Sequence, residues 1–231
     1  MSQNTNFSAS SNLRVLIVTG GRSGFEREAF YDMFNTFTNV DYEEVSHPEA
    51  NQKLTSSFYD SFDVLVFYDM VQDITSEQKK AFINLLERGK GIVFLHHALT
   101  SYREWAEYEN IIGGRFYLDL KPDIEDKTGY PVSTYEHDVN IPVTIVDRDH
   151  PVTSGLDDFV IHDEIYGEFK VLPGVHPLLS TTYPESGDII GWAHSYRNSS
   201  IVYIQPGHNH NAFQNQNYRR LVEQGIKWVH I

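Results

Sequence analysis

Residues 91–97, GIVFLHH, decide the fold prediction, because an apolar run stops abruptly at two histidines. A short, continuous apolar run is typical of a parallel strand that is buried on both faces. Residues 201–208, IVYIQPGH, have the same arrangement near the end of the chain. Because ligands bind at the carboxyl ends of parallel strands in open α/β sheets, both histidine positions are predicted to lie at a functional edge.

Strand and helix patterns alternate through the first half of the chain, and strands dominate the second half. The half-polar strands with prolines indicate an antiparallel or edge extension. We therefore predict an α/β fold with a mostly parallel sheet: one domain over residues 13–231 behind a disordered polar lead-in over residues 1–12. The predicted strands are residues 13–19, 40–45, 63–68, 91–95, 132–146, 160–162, 188–194 and 200–204; the predicted helices are residues 25–37, 102–112 and 218–229, with one more between the cap Thr75 and the stop Gly89.

The composition limits the partners of the chain. Its 231 residues carry a formal net charge of −14, which repels phosphates, so neither nucleic acid nor an anionic membrane is expected as a partner. A neutral ligand such as a sugar, or a cation, suits that charge better. No apolar stretch approaches the roughly 18 residues that a membrane span needs.

The chain contains no cysteine, so disulfides, thiolate metal ligands and a cysteine nucleophile are excluded. The compartment therefore stays open between cytoplasm and periplasm. The lead-in has no apolar segment of the kind that a secretory signal contains.

The histidines are the first candidates for chemistry. Adjacent residues point in different directions, so one of His96 and His97 can face a cleft while the other supports it as a buried core histidine. His208 and His210 alternate around an amide, which can place both rings on one side. Imidazole titrates near neutrality and is a common metal ligand, so a general base and a metal site are both open.

Three other residues are candidates, each with a simpler structural alternative. Glu164 can orient an imidazole or complete a metal shell, or it can be a solvated acid in a turn. Arg22 can hold an oxygen-rich substrate or cap a carbonyl, and Trp105 can face a sugar or only pack. Residues 20–24, GGRSG, do not match the dinucleotide fingerprint, so no nucleotide cofactor is expected.

Five short motifs, in order along almost the whole chain, resemble the trehalose-utilisation or ThuA-like family. The most specific is the phrase at residues 149–156. The motifs are residues 15–21 (VLIVTGG), 91–98 (GIVFLHHA), 149–156 (DHPVTSGL), 163–166 (DEIY) and 206–208 (PGH).

This resemblance implies a flavodoxin-like three-layer sandwich of the class I glutamine amidotransferase-like type. It implies that His96 stands at or beside the position of the amidotransferase cysteine and that His208 matches the catalytic histidine. Glutaminase activity is not carried over, because the cysteine is missing. The family further implies carbohydrate metabolism, including the handling of 3-keto derivatives of glucosides.

The leading hypothesis is an enzyme that acts on a sugar or keto-sugar, either through a histidine base or with the help of a divalent metal, zinc or similar, and no other cofactor is expected. One rival is a non-catalytic saccharide-binding or sensory domain. Another is a structural module that forms a homodimer through an exposed edge strand. The predicted catalytic residues are His96, His97, His208 and Glu164; the predicted substrate contacts are Arg22, Trp105 and His210; the predicted metal ligands are His97, His208 and His210.

Overall fold

The computed structural model describes residues 12–118 and 132–230. The predicted lead-in therefore lies outside the described residues, apart from Asn12. The first half alternates strands and helices as the sequence predicts, and a 3-10 turn over His96–Thr100 follows the fourth strand. Its elements are β1 (Leu13–Gly20), α1 (Arg27–Phe34), β2 (Val40–Ser46), α2 (Glu49–Lys53), β3 (Val64–Asp69), α3 (Ser76–Glu87), β4 (Gly91–Leu95) and α4 (Ala106–Ile112).

The second half is mostly strand and ends in two helices. Its elements are β5 (Gly114–Arg115), β6 (Thr134–Ile145), β7 (Phe159–Gly167), β8 (Lys170–Val171), β9 (His176–Thr181), β10 (Ile189–Tyr196), β11 (Ser199–Ile204), α5 (His210–Gln214) and α6 (Gln216–Val229).

Nine strands form one sheet in the order β2-β1-β3-β4-β11-β10-β9-β6-β7. The five strands from β2 to β11 pair in parallel, and the remaining pairs are antiparallel. Seven of the nine strands consequently run in the same direction, against β10 and β6. The predicted α/β class with a mostly parallel sheet is confirmed, and so is the antiparallel extension.

The sheet is buried on both faces, because successive residues of its central strands enter different cores. Val15 and Ile17 pack with α1 and α6, whereas Leu16 and Val18 pack with α2, α3 and α4. These two helical layers and the sheet between them form the predicted three-layer sandwich. The continuous apolar runs of β1, β3 and β4 exist because both faces of each strand need apolar side chains.

Several predicted boundaries differ from the structure. The helix predicted from residue 102 begins only at Ala106, because Tyr102 has a φ of 51° and its backbone N–H donates to the Val71 carbonyl at 2.7 Å. The helix predicted over residues 25–37 is limited to Arg27–Phe34. β9 was not predicted. The cap at Thr75 is confirmed, since its side chain and that of Gln78 form a capping box.

The topology brings several chain segments to one edge of the sheet. β1, β3, β4 and β11 all end there, and the second half of β7 lies against the segment that follows β11 through hydrogen bonds from Gln205 and Gly207. None of the helices in the described ranges combines the length and hydropathy that crossing a membrane requires.

Candidate functional site

A cavity of about 430 Å³ opens at this edge of the sheet. A smaller cavity of about 210 Å³ adjoins it near the ends of β1 and β2, and Arg22 and His97 line both. The larger cavity combines imidazoles, one carboxylate and aromatic rings. Its lining residues are Arg22, Ser23, Met70, His96, His97, Thr100, Phe116, Leu118, Tyr135, His137, Glu164, Tyr166 and His208.

His96 lies directly after β4 in a left-handed backbone conformation, with a φ of 48°. Such strain in a residue other than glycine costs about 1–3 kcal/mol and is concentrated at functional sites. The Nδ1–H of His96 donates to the carbonyl of Gln205 at 2.7 Å. Because a carbonyl only accepts, this bond fixes the tautomer and leaves the Nε2 lone pair facing the cavity.

Tyr166 completes the surroundings of His96. Its ring stacks on the imidazole with centroids 4.8 Å apart, and its hydroxyl lies 3.1 Å from His96 Nε2. Burial raises the pKa of Tyr166 well above its usual value, so the hydroxyl keeps its proton and donates it. Two hydrogen bonds and one stacking contact therefore hold the His96 ring in place.

Glu164 joins the histidines into one cluster. One of its carboxylate oxygens lies 3.3 Å from His96 Nε2, and the other lies 3.0 Å from His208 Nδ1. Burial alone would raise the pKa of Glu164, but its interactions with the imidazoles of His208 and His96 outweigh it and hold the pKa below its ordinary value. The carboxylate is therefore ionised inside a largely buried site.

His208 stands between this carboxylate and Arg22. Arg22 Nη2 lies 2.9 Å from His208 Nε2 and 3.2 Å from His208 Nδ1. Because the Glu164 carboxylate beside Nδ1 can only accept, the imidazole proton resides on Nδ1 and points towards Glu164. His96 Nε2 is 3.2 Å from the same Nδ1. One donor atom each from His96, Glu164 and His208 lies within 4.8 Å of the others, which is a grouping that could hold a metal ion.

Asp163 fixes the turn that carries His208. Its buried carboxylate accepts from the backbone N–H groups of Gly207 at 2.6 Å and His208 at 3.0 Å. Burial raises the pKa of Asp163, because its charged form has lost water. This residue thus ties β7 to the turn after β11 and does not face the cavity.

His97 is buried behind the wall of the cavity. Its ring contacts that of Tyr68 with centroids 4.3 Å apart, and only 4% of the residue is exposed. Burial lowers the pKa of His97 far below its ordinary value, so the ring is neutral. Its Nδ1 has no hydrogen-bond partner in the described part of the chain.

Two of the predicted substrate contacts lie elsewhere. Trp105 packs in the core against Phe82, with ring centroids 5.7 Å apart, since it precedes α4 on a buried face. His210 points to the surface, where its Nδ1 lies 2.9 Å from Glu26. The structure therefore does not bring His97, His208 and His210 together as one metal-ligand set; the grouping that it forms is His96, Glu164 and His208.

Sequence reasoning missed His137 as a site residue. Its Nδ1 lies 2.6 Å from Glu164, and its ring is 4.8 Å from that of His208. The register of β6 and β7 shifts here, so that His137 and Asp138 together oppose Glu164. Such a bulge re-aims a side chain. The sequence 136–138, EHD, offers only a weak signal of it.

Known proteins share both the sequence pattern and the fold of this chain. The profile of the family described as ThuA, trehalose utilisation, matches residues 14–229. A ThuA-like protein from Parabacteroides merdae is 18% identical with a TM-score of 0.77, over 95% of this chain and 90% of that one. Another from Bacteroides uniformis is 20% identical with a TM-score of 0.66, over 99% and 95%.

A less similar protein also shares the fold. A protein from Thermoplasma acidophilum, described as part of a GMP synthase, is 14% identical with a TM-score of 0.55, over 94% of this chain and 93% of that one. These likenesses support the amidotransferase-like fold. No match was found among curated proteins.

Proposed function

Because the chain belongs to the trehalose-utilisation family ThuA, and so to carbohydrate metabolism, we propose that it is an enzyme that converts a sugar or keto-sugar in the larger cavity. The observation that carries this proposal is the convergence of His96, Glu164 and His208 on one wall of that cavity. A neutral imidazole held by an ionised carboxylate is a competent base near neutral pH.

The proposed step is removal of a proton from the carbon beside a ketone. His208 Nε2 takes the proton, and the electron pair of the C–H bond moves to the carbonyl oxygen to form an enolate. Glu164 stabilises the resulting imidazolium, because its carboxylate already accepts from His208 Nδ1. Arg22, which contacts the same ring and lines the same cavity, would supply positive charge to the enolate.

The donor set also fits a divalent metal of the zinc type. His96 Nε2 is free of its own proton, Glu164 is ionised, and His208 offers Nδ1. The backbone carbonyl that orients His96 is typical of the support that a metal-binding imidazole receives. A metal bound here would polarise the sugar carbonyl. His208 would then bind through Nδ1, with its proton on Nε2, and could not be the base at the same time.

The test is turnover of a panel of 3-keto-glucosides by the wild type, His208→Ala and His210→Ala. His208→Ala should lose about a hundredfold or more in kcat, since a positioned base contributes at least that much. His210→Ala is the matched control, because His210 lies on the same turn but contacts Glu26 at the surface. Elemental analysis and chelator titration of the wild type determine in parallel whether a metal is bound and whether activity needs it.

Each outcome has a distinct meaning. A metal that is removed with loss of activity supports the metal-assisted form, and activity that survives chelation supports His208 as the base. Folded His208→Ala with wild-type turnover would contradict the role of the site. A wild type that binds the sugars without converting any would support a saccharide-binding domain in place of an enzyme.

A further inference from the structure

We propose that the substrate is a sugar acid and that its carboxylate binds Arg22 where the two cavities meet. This inference rests on the proposed function, since it assumes that the cavity holds a sugar. It specifies that the sugar carries a negative charge and where in the cavity the charged group binds. The residues that carry it are Arg22 and His97.

Arg22 is one of four arginines without an ion pair to Asp or Glu in the described part of the chain, with Arg197, Arg219 and Arg220, and it is the one of them that lines the larger cavity. The hydrogen-bond contacts of Arg22 are His208 Nε2 at 2.9 Å, His208 Nδ1 at 3.2 Å and the His208 carbonyl at 3.4 Å. Six other arginines form ion pairs with Asp or Glu: Arg14, Arg27, Arg88, Arg103, Arg115 and Arg148. Arg22 is thus a cation without a carboxylate partner in the wall of the cavity that holds His96, Glu164 and His208, where a negatively charged ligand group would pair with it.

The place of this cation is equally specific. Arg22 lines both cavities, and so does His97. The Nδ1 of His97 is buried, and no partner for it is found among the described residues. A buried polar atom without a partner is costly, so a ligand atom that reaches it gains a hydrogen bond that the free protein lacks. An arginine without a carboxylate partner and an imidazole with an unpartnered nitrogen thus line the same two cavities.

A carboxylate suits this junction better than a phosphate. The planar guanidinium matches a carboxylate with two parallel hydrogen bonds. A phosphate dianion would need further positive charge, but Arg27, the other arginine of the smaller cavity, is already paired with Glu44. The net charge of −14 does not prevent binding, because salt screens distant charges beyond about 8 Å at physiological ionic strength.

Binding at Arg22 would also release the proposed base. In the ligand-free protein Arg22 donates to His208 Nε2, which is the atom that must accept a proton. A substrate carboxylate competes for the guanidinium, because it carries the opposite charge and accepts two hydrogen bonds, whereas a neutral ring nitrogen accepts one. His208 Nε2 is then free to face the substrate. An acidic substrate would therefore both anchor itself and uncover the base.

Calorimetric titration with D-glucuronate and D-glucuronamide tests this inference, because the two ligands have nearly the same shape and differ in charge. The wild type should bind glucuronate about tenfold to hundredfold more tightly. Arg22→Met should abolish that preference, and Arg22→Lys should keep part of it. Arg88→Met is the control, since it removes the same charge from a distant, exposed ion pair with Asp60.

Equal binding of the two ligands by the wild type, binding of neither, or a preference that survives in folded Arg22→Met would overturn the inference. D-glucose 6-phosphate binding more tightly than glucuronate would also overturn it, in favour of a phosphate. The calorimetric titration measures affinity and does not require the enzyme to convert either ligand. A protein that converts neutral keto-glucosides without preferring glucuronate would keep the proposed function and lose this inference.

Discussion

Glu164 is the residue on which the site depends most. Three imidazoles contact its carboxylate, those of His96, His208 and His137, at 3.3, 3.0 and 2.6 Å. Its side chain is 7% exposed, so these contacts act with little competition from water. The carboxylate therefore holds the proton of His208 on Nδ1 and leaves on Nε2 the lone pair that a base needs.

His97 makes the stability of the protein depend on pH. Its pKa is lowered by burial, so the unfolded chain binds a proton below about pH 6.5 that the folded chain does not. The contribution is present above the unfolded pKa and is lost as the pH falls. The free energy of unfolding should therefore decrease between about pH 7 and 5, and less steeply in His97→Phe, by up to about 1.4 kcal/mol per pH unit.

Urea unfolding at several pH values measures this slope. The exposed His162 on β7 provides the control, and His162→Asn should keep the wild-type slope. His150 and His194, whose pKa values burial also lowers, are present in both proteins, so the difference between the variants reports His97. A wild-type slope in His97→Phe would show that the ring is not buried in its neutral form.

At the scale of elements, the turn after β11 aims His208. Gly207 has a φ of 135°, and a Cβ there would lie 2.4 Å from the hydroxyl of Tyr218. Asp163 of β7 accepts the N–H groups on both sides of this bend. The turn is thus held by α6, by β7 and by a backbone conformation that favours glycine.

Gly207→Ala should therefore destabilise the protein by about 1–3 kcal/mol and displace His208, so that kcat falls with stability. Thermal and urea unfolding measure the first effect, and turnover at a temperature where the variant is folded measures the second. Gly174→Ala is the control, since its Cβ would meet nothing within 4 Å. Equal stability of Gly207→Ala and the wild type would contradict this account of the turn.

The elements differ in how well the sequence predicts them. β4 and β11 are strong predictions, because a strand buried on both faces needs an uninterrupted apolar run. The histidines at their ends follow directly from that. The bulge that turns His137 inward was not predictable, since it depends on how β6 and β7 pair and not on local composition. Tyr102 likewise continues a helical pattern but is held outside α4 by its bond to Val71.

At the scale of the whole molecule, the candidate site joins residues that are far apart in the chain. Arg22, His96, Glu164 and His208 follow or belong to four different strands. For residues that follow parallel strands, the position at a strand end predicts that they lie close together. Glu164 could not be predicted in this way, because it belongs to β7, which is placed by the antiparallel half of the sheet. Trp105 shows the opposite case, because its short sequence distance from His97 does not place it in the cavity.

The most direct test of the account is a double-mutant cycle on turnover with Glu164→Gln, His208→Ala and the double variant. If Glu164 acts by orienting and charging His208, then it has nothing left to do once His208 is removed. Glu164→Gln alone should lower kcat about ten- to hundredfold. The account predicts that the double variant is no slower than His208→Ala; losses that multiply would contradict it.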